Sequence, residues 1–375
     1  MLLGMLAAVP GALLPIWSVH LALGTGRTGE ALLAFAVGST AGLIAVSRLT
    51  TRALTQNVCA TVAGVVASSS LVALSSVYSP EQLLMPLAGL GLSVGALLAA
   101  ESGPLFEAVV AAPASRTLAW VSFGTGATLV CLFLWASAGV AVLPSTMLLL
   151  AAAPLLFAAY AWNASGKRLA AVCDTGTPVD WKGLATPLGI LFGLSIVLHA
   201  AAHGTIVYWI AIYMTRRFGL SIGVGLIILT LYWLSLTIGS AMAARIPALE
   251  TRLRWLVWAV LGCVVSCAFL LETADVSGAV VGVIVLGAAL GIIQLLTAGW
   301  ISRRLEWRHP ALFRVLVAGY LITAMAAASL MSRLVSGFGV QAVVWAILAI
   351  TLALFVLLAV LVVETKLAAK KPASS

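Results

Sequence analysis

Charge is the scarcest property of this 375-residue chain. Asp, Glu, Lys and Arg together make up 8% of it, against about 25% in a typical soluble domain. Hydrophobic residues reach 63% and the mean hydropathy is +1.17. No soluble core can hide that much apolar surface, because single cores stop growing at roughly 250–300 residues. The expected solvent is therefore lipid. A basic face is also lacking. The net charge of +9 comes from cations that stand singly or in pairs between apolar runs, which excludes nucleic acid as a partner.

Enzyme machinery is missing as well. There is no phosphate-cradling Walker pattern, no H-E-x-x-H and no paired Cys/His spacing. Gly124-Thr-Gly126 lies inside an apolar run and is no dinucleotide loop. Of the five cysteines, Cys59, Cys131, Cys263 and Cys267 fall in apolar runs as small hydrophobes, and Cys173 stands apart. Neither disulfide, metal nor cofactor is expected. The N-terminus lacks the charged n-region of a signal peptide, and its apolar stretch reads as a retained span.

What is present is a series of long apolar runs. A span needs about 20 such residues, and on that measure the chain holds about twelve. The fourth is expected over Gln82–Val110, and the second over Ala31–Ser47. The breaks are short and carry turn residues, as in Gly24-Thr-Gly-Arg-Thr-Gly29, Tyr78-Ser-Pro80 and Gly337-Phe-Gly339. Trp162, Trp181, Trp300, Trp307 and Tyr78 fall near expected span ends, as interfacial aromatics do.

The longest polar interval, Asn163–Leu184, carries Lys167, Arg168, Asp174, Asp180 and Lys182 and must lie in water. It divides the chain into an N-terminal half (1–163), a linker (164–184), a C-terminal half (185–364) and a tail (365–375). With both ends cytoplasmic, sixteen of the 20 Lys and Arg residues fall inside; Arg27, Arg216, Arg217 and Arg333 fall outside. That bias sets the orientation.

Three landmarks recur at one offset. Gly42 precedes Arg48 as Gly239 precedes Arg245, about 197 residues on. The Gly91/Gly95 G-x-x-x-G pair returns as Gly287/Gly291 at about 196, and Arg116 returns as Arg314 at about 198. G-x-x-x-G pairs let membrane helices approach closely. The spacing points to a duplication.

Twelve spans, a central polar loop and this repeat together resemble the major facilitator superfamily. The implied fold is all-α and integral to the membrane, with two pseudo-symmetric six-helix halves and a site between them near the midplane. Pro10-Gly-Ala-Leu-Leu-Pro15 is similar to the first helix of many members. Gly42-Leu-Ile-Ala-Val-Ser-Arg48 resembles the loop 2–3 signature, with Val46 where the family usually has Asp. Gly42, Arg48, Gly239 and Arg245 are thus the implied gating-loop residues. Span 7 resembles the branch around the fucose–galactose–glucose/proton symporters, which carries G-x-E-x5-W-x3-Y. Here Trp209 and Tyr213 match, followed by Gly219-Leu-Ser221, while Ala201 and His203 replace the Gly and the Glu.

Polar groups deep in a bilayer are functional candidates by default. His199 and His203 lie one turn apart on one face of span 7. Imidazole can exchange a proton or bind a polar solute; the alternative is a neutral His bonded to a neighbouring helix. Glu101 lies about twelve residues before Pro113, roughly 18 Å along a helix, and so is expected inside the membrane. Glu101 and His203 are the candidates for proton coupling. Further cavity candidates are Trp17 and His20 in span 1, Trp209 and Tyr213 in span 7, Tyr232 and Trp233 in span 8, Gln294 in span 10 and Tyr320 in span 11. Rings with a polar tip suit many solutes. Span 1 holds no acid.

The leading expectation is a secondary transporter of a small solute, working as a monomer in the cell membrane with protons as the candidate coupling ion. Two alternatives stand beside it: a transport-dead sensor or scaffold, and a multi-pass enzyme acting on lipid-linked substrates.

Overall fold

The structure is a computed structural model, which describes residues 1–49, 53–101, 113–137, 143–164, 186–246, 249–304 and 310–370. Among these residues every long element is a helix. They are α1 (Leu2–His20), α2 (Thr25–Leu49), α3 (Ala53–Leu74), α4 (Leu84–Ala100), α5 (Pro113–Ser137) and α6 (Leu143–Ala164). After the central interval follow α7 (Pro187–Phe218), α8 (Ile222–Ala244), α9 (Leu249–Glu272), α10 (Val276–Arg304), α11 (Pro310–Phe338) and α12 (Ala342–Lys370). Twelve helices among the described residues are long and apolar enough to cross a membrane. In lipid an unpaired backbone group costs several kcal/mol, roughly, so a closed helical ladder is what this composition permits. Most of the linker lies outside the described residues.

Helix ends follow local chemistry. Thr186 caps α7 by accepting from the Gly189 N–H at 3.1 Å, and Ser221 caps α8 by accepting from the Val224 N–H at 3.4 Å. Gly219 closes α7 at φ 65°, a left-handed backbone that favours glycine. The Gln82 side chain accepts from the Tyr78 and Ser79 N–H groups at 2.9 and 3.2 Å, which holds the turn before α4.

One expected break is corrected. Gly24–Gly29 is not a loop: α2 already begins at Thr25. Gly26 and Gly29 are helical, and Gly29 is small because α11 lies against it. A Cβ there would overlap the Ser332 hydroxyl, and Ser329 Oγ donates to the Gly29 carbonyl at 2.9 Å. The span expected to run on to Val110 has its described helix end at Ala100, with 102–112 outside the described residues.

The duplication seen in sequence is a duplication of packing. Helix pairs α2–α4, α3–α4, α3–α6 and α1–α5 recur as α8–α10, α9–α10, α9–α12 and α7–α11. The repeated glycines sit where α2 meets α4 and where α8 meets α10, both close crossings. A Cβ on Gly42 would overlap the Leu92 carbonyl oxygen, and one on Gly239 would overlap that of Ala288. Gly95 meets the Ser39 carbonyl as Gly291 meets that of Leu236, about 197 residues further on. Small residues at crossings gain dispersion contact where lipid supplies no hydrophobic drive.

The halves meet along three seams. α2 packs on α11, α5 packs on α8, and α1 crosses α7. At the α1–α7 crossing Gly11 faces the Val207 carbonyl, and the Tyr208 hydroxyl donates to the Ala7 carbonyl at 3.3 Å. On α5–α8, Gly124 faces the Thr237 side chain.

Candidate functional site: a cavity between the halves

A cavity of about 110 Å³ lies between the halves. Its walls come from α1 (Leu3, Ala7), α4 (Val94, Leu98), α5 (Ala119, Trp120, Phe123), α7 (His203), α10 (Gln294) and α11 (Val317, Tyr320, Leu321). Those six helices are three equivalent pairs, α1/α7, α4/α10 and α5/α11. The cavity therefore lies on the internal symmetry relation, and most of its wall is apolar. No Asp, Glu, Lys or Arg lines it among the described residues.

Its polar groups are few and come mainly from the second half. The His203 ring is 7% exposed, and its Nδ1 lies 2.8 Å from the Tyr232 hydroxyl; the tautomer decides which of the two donates. His199 stacks parallel to His203, with centroids 6.4 Å apart and planes 6° apart, as a spacing of four on one helix imposes. Neither ring nitrogen of His199 meets a partner among the described residues. Tyr320 lies 5.9 Å from His199 and 6.1 Å from His203, centroid to centroid. Trp233 stands edge-on to His203 at 5.1 Å and reaches Phe123 at 6.0 Å, and Phe123 reaches Trp120 at 6.3 Å. One aromatic cluster thus runs from α5 through α8 to α7 and α11.

Gln294, Tyr320 and Trp120 each bring a buried polar atom without a partner among the described residues: Oε1, the hydroxyl and Nε1. Buried polar groups are almost always hydrogen-bonded. All three residues line the one cavity.

The other expected residues lie elsewhere. Trp209 is buried and its Nε1 donates to the Ala328 carbonyl at 2.8 Å, tying α7 to α11. The Tyr213 hydroxyl donates to the Leu270 carbonyl at 3.1 Å, tying α7 to α9. Trp17 is buried within α1, and His20 is exposed at that helix's end. Tyr232 packs behind His203, out of the cavity wall. Arg48 and Arg245 are exposed at the ends of α2 and α8. Glu101 follows the last residue of α4, half-buried, and its N–H donates to the Leu97 carbonyl at 2.8 Å. Among the described residues no three His, Cys, Asp or Glu side chains gather as metal ligands.

Sequence reasoning passed over Trp120 and Phe123. Their spacing of three on α5 puts both on one face, but an apolar stripe in a span reads equally as lipid contact.

No protein-family model matches the chain, and no curated protein matches it. Solved structures do. A point mutant of the nucleoside transporter NupG superposes with a TM-score of 0.66 at 12% identity, over 96% of this chain and 98% of that one. The human organic anion transporter MFSD10 superposes with a TM-score of 0.64 at 16% identity, over 95% and 97%. The chain has the major facilitator fold. In this chain the paired helices α1/α7, α4/α10 and α5/α11 enclose the cavity just described.

Proposed function

We propose that the chain is a secondary transporter that carries a small solute across a cell membrane by alternating access. The halves, 1–163 and 185–364, rock about the cavity. The 164–184 linker joins them on the cytoplasmic side, where both termini also lie. The observation that carries this reading is the composition of the cavity wall: three helices from each half, equivalent in pairs, around one largely apolar opening. A solute bound there touches both halves at once, so its binding energy can bias one arrangement over the other. The three seams α1–α7, α2–α11 and α5–α8 are contacts between halves, the kind that must loosen and re-form during rocking.

Protons couple to this movement through His203, which faces the cavity, and Glu101, which sits at the end of α4. The Trp209 and Tyr213 positions support descent near the fucose–galactose–glucose/proton symporter branch, with a changed substrate, since His203 stands where that branch has Glu. The protein works as a monomer.

The test is counterflow. Purified protein in proteoliposomes, loaded with unlabelled solute and given no ATP, should take up labelled solute transiently above equilibrium. Absence of exchange across a broad panel of sugars, nucleosides, organic anions and neutral aromatic compounds would sink the proposal.

A further inference from the structure

The cavity is defined by what its wall withholds. Trp120 Nε1, Gln294 Oε1 and the Tyr320 hydroxyl each have less than 1 Å² of accessible surface, so none of these atoms is offered to a solute. His203 holds its Nδ1 against the Tyr232 hydroxyl. What the wall presents is mostly carbon: Leu3, Val94, Leu98, Phe123, Val317 and Leu321, drawn from both halves.

Such a wall rejects most solutes. An ion would meet no opposite charge among the described lining residues, and an unpaired ion in apolar surroundings is strongly disfavoured. A hydroxyl or amide that leaves water without a new partner loses roughly fivefold or more in affinity. A polyol would meet that loss at several groups. The space also sets a size. An apolar cavity on the order of 150 Å³, lined by Leu, Ile and Phe, stays dry and takes up benzene. At about 110 Å³ this cavity has room for one ring and little more. Phe123 and Trp120, edge to face with centroids 6.3 Å apart, put aromatic surface beside the aliphatic side chains.

We propose that the solute is an uncharged, apolar compound of single-ring size, held by the shape of this wall and by its exclusion from water rather than by hydrogen bonds. This inference rests on reading the cavity as the solute site.

The probes are fluorobenzene, 4-fluorophenol, which adds one hydroxyl, and 4-fluorobenzoate, which adds a charge. Their binding to the purified full-length protein in nanodiscs is followed by fluorine NMR. Empty nanodiscs are the blank, and affinity is referred to the free concentration in water. The expected result is saturable binding of fluorobenzene, displaced by toluene and at least about fivefold tighter than that of 4-fluorophenol. No binding of 4-fluorobenzoate is expected. Ala119→Leu fills the opening with its own side chain and should abolish the saturable binding. Leu98→Asn puts an amide into the wall and should bring the preference for fluorobenzene toward unity. The melting temperature without ligand checks that each variant folds. Where a variant does not, the other variant and the wild-type preference decide.

Equal or tighter binding of 4-fluorophenol or 4-fluorobenzoate overturns the inference. So does fluorobenzene uptake no greater than that of empty nanodiscs, or binding that a folded Ala119→Leu variant leaves unchanged. Counterflow of a sugar, a nucleoside or an organic anion also overturns it while leaving the transport reading intact. Fluorobenzene bound with the expected preference, in a protein that exchanges no solute, does the reverse.

Discussion

His203 and Tyr232 are joined across the α7–α8 contact, with Nδ1 of the first 2.8 Å from the hydroxyl of the second. One side of the histidine is therefore held from behind by a helix of its own half, while its ring faces the cavity. Tyr232→Phe leaves that nitrogen buried without a partner. The expected cost is about 1–3 kcal/mol of stability, read as a lower melting temperature in detergent. A variant as stable as the wild type would show that the bond does not hold the ring.

Coupling through His203 and Glu101 predicts a change in pH dependence. His203→Gln and Glu101→Gln should each flatten the profile of flux against pH in proteoliposomes. Flux at a single pH is a poorer readout, because altered packing lowers it too. If both variants keep the wild-type profile, protons enter elsewhere.

The repeated glycines predict paired sensitivity. Gly42→Val and Gly239→Val each drive side-chain atoms into a carbonyl of the neighbouring helix, Leu92 in one half and Ala288 in the other. Each should destabilise by about 1–3 kcal/mol or more, the usual cost of overpacking. Gly193→Ala is the control, because nothing lies within 4 Å of a Cβ there. Its melting temperature should match or exceed the wild type, since alanine favours helix.

Two tryptophans should separate stability from selection. Trp209→Phe removes the donor to the Ala328 carbonyl and should cost about 1 kcal/mol in stability while leaving the solute preference unchanged. Trp120→Phe removes a donor that has no partner among the described residues and takes ring surface from the cavity wall, so the empty protein should melt as before while binding weakens. Denaturation and binding measured side by side on both variants check this.

Asp275, outside the spans, predicts a small acid effect. Hydrogen bonds from the Ser277 side chain and then the Gly278 N–H hold its carboxyl below the usual range. A lowered folded-state pKa contributes stability that is complete above the unfolded-state value and is lost as pH falls through the folded-state value. Wild type should thus melt slightly above Asp275→Ala at neutral pH, and the gap should close below roughly pH 4. A gap that persists or widens in acid shows that these hydrogen bonds do not favour the ionised carboxylate.

Residence in a membrane, the twelve helices and the duplication were legible in the chain, because each depends on composition over about 20 residues or on spacing. The Gly42/Gly239 and Gly95/Gly291 correspondences were read as letters before they were seen as crossings. Gly29 was misread for a related reason: glycine marks a turn or a close approach, and only the presence of α11 beside it decides which. His203, Gln294 and Tyr320 stood out as polar groups in apolar spans. Trp209, Tyr213 and Trp120 are alike by that measure, yet the first two donate to the Ala328 and Leu270 carbonyls while the third faces the cavity. A span that is apolar all round carries no sign of which side meets lipid, a neighbour or an opening. Those roles are set by helices more than fifty residues away, and so only the packed structure assigned them.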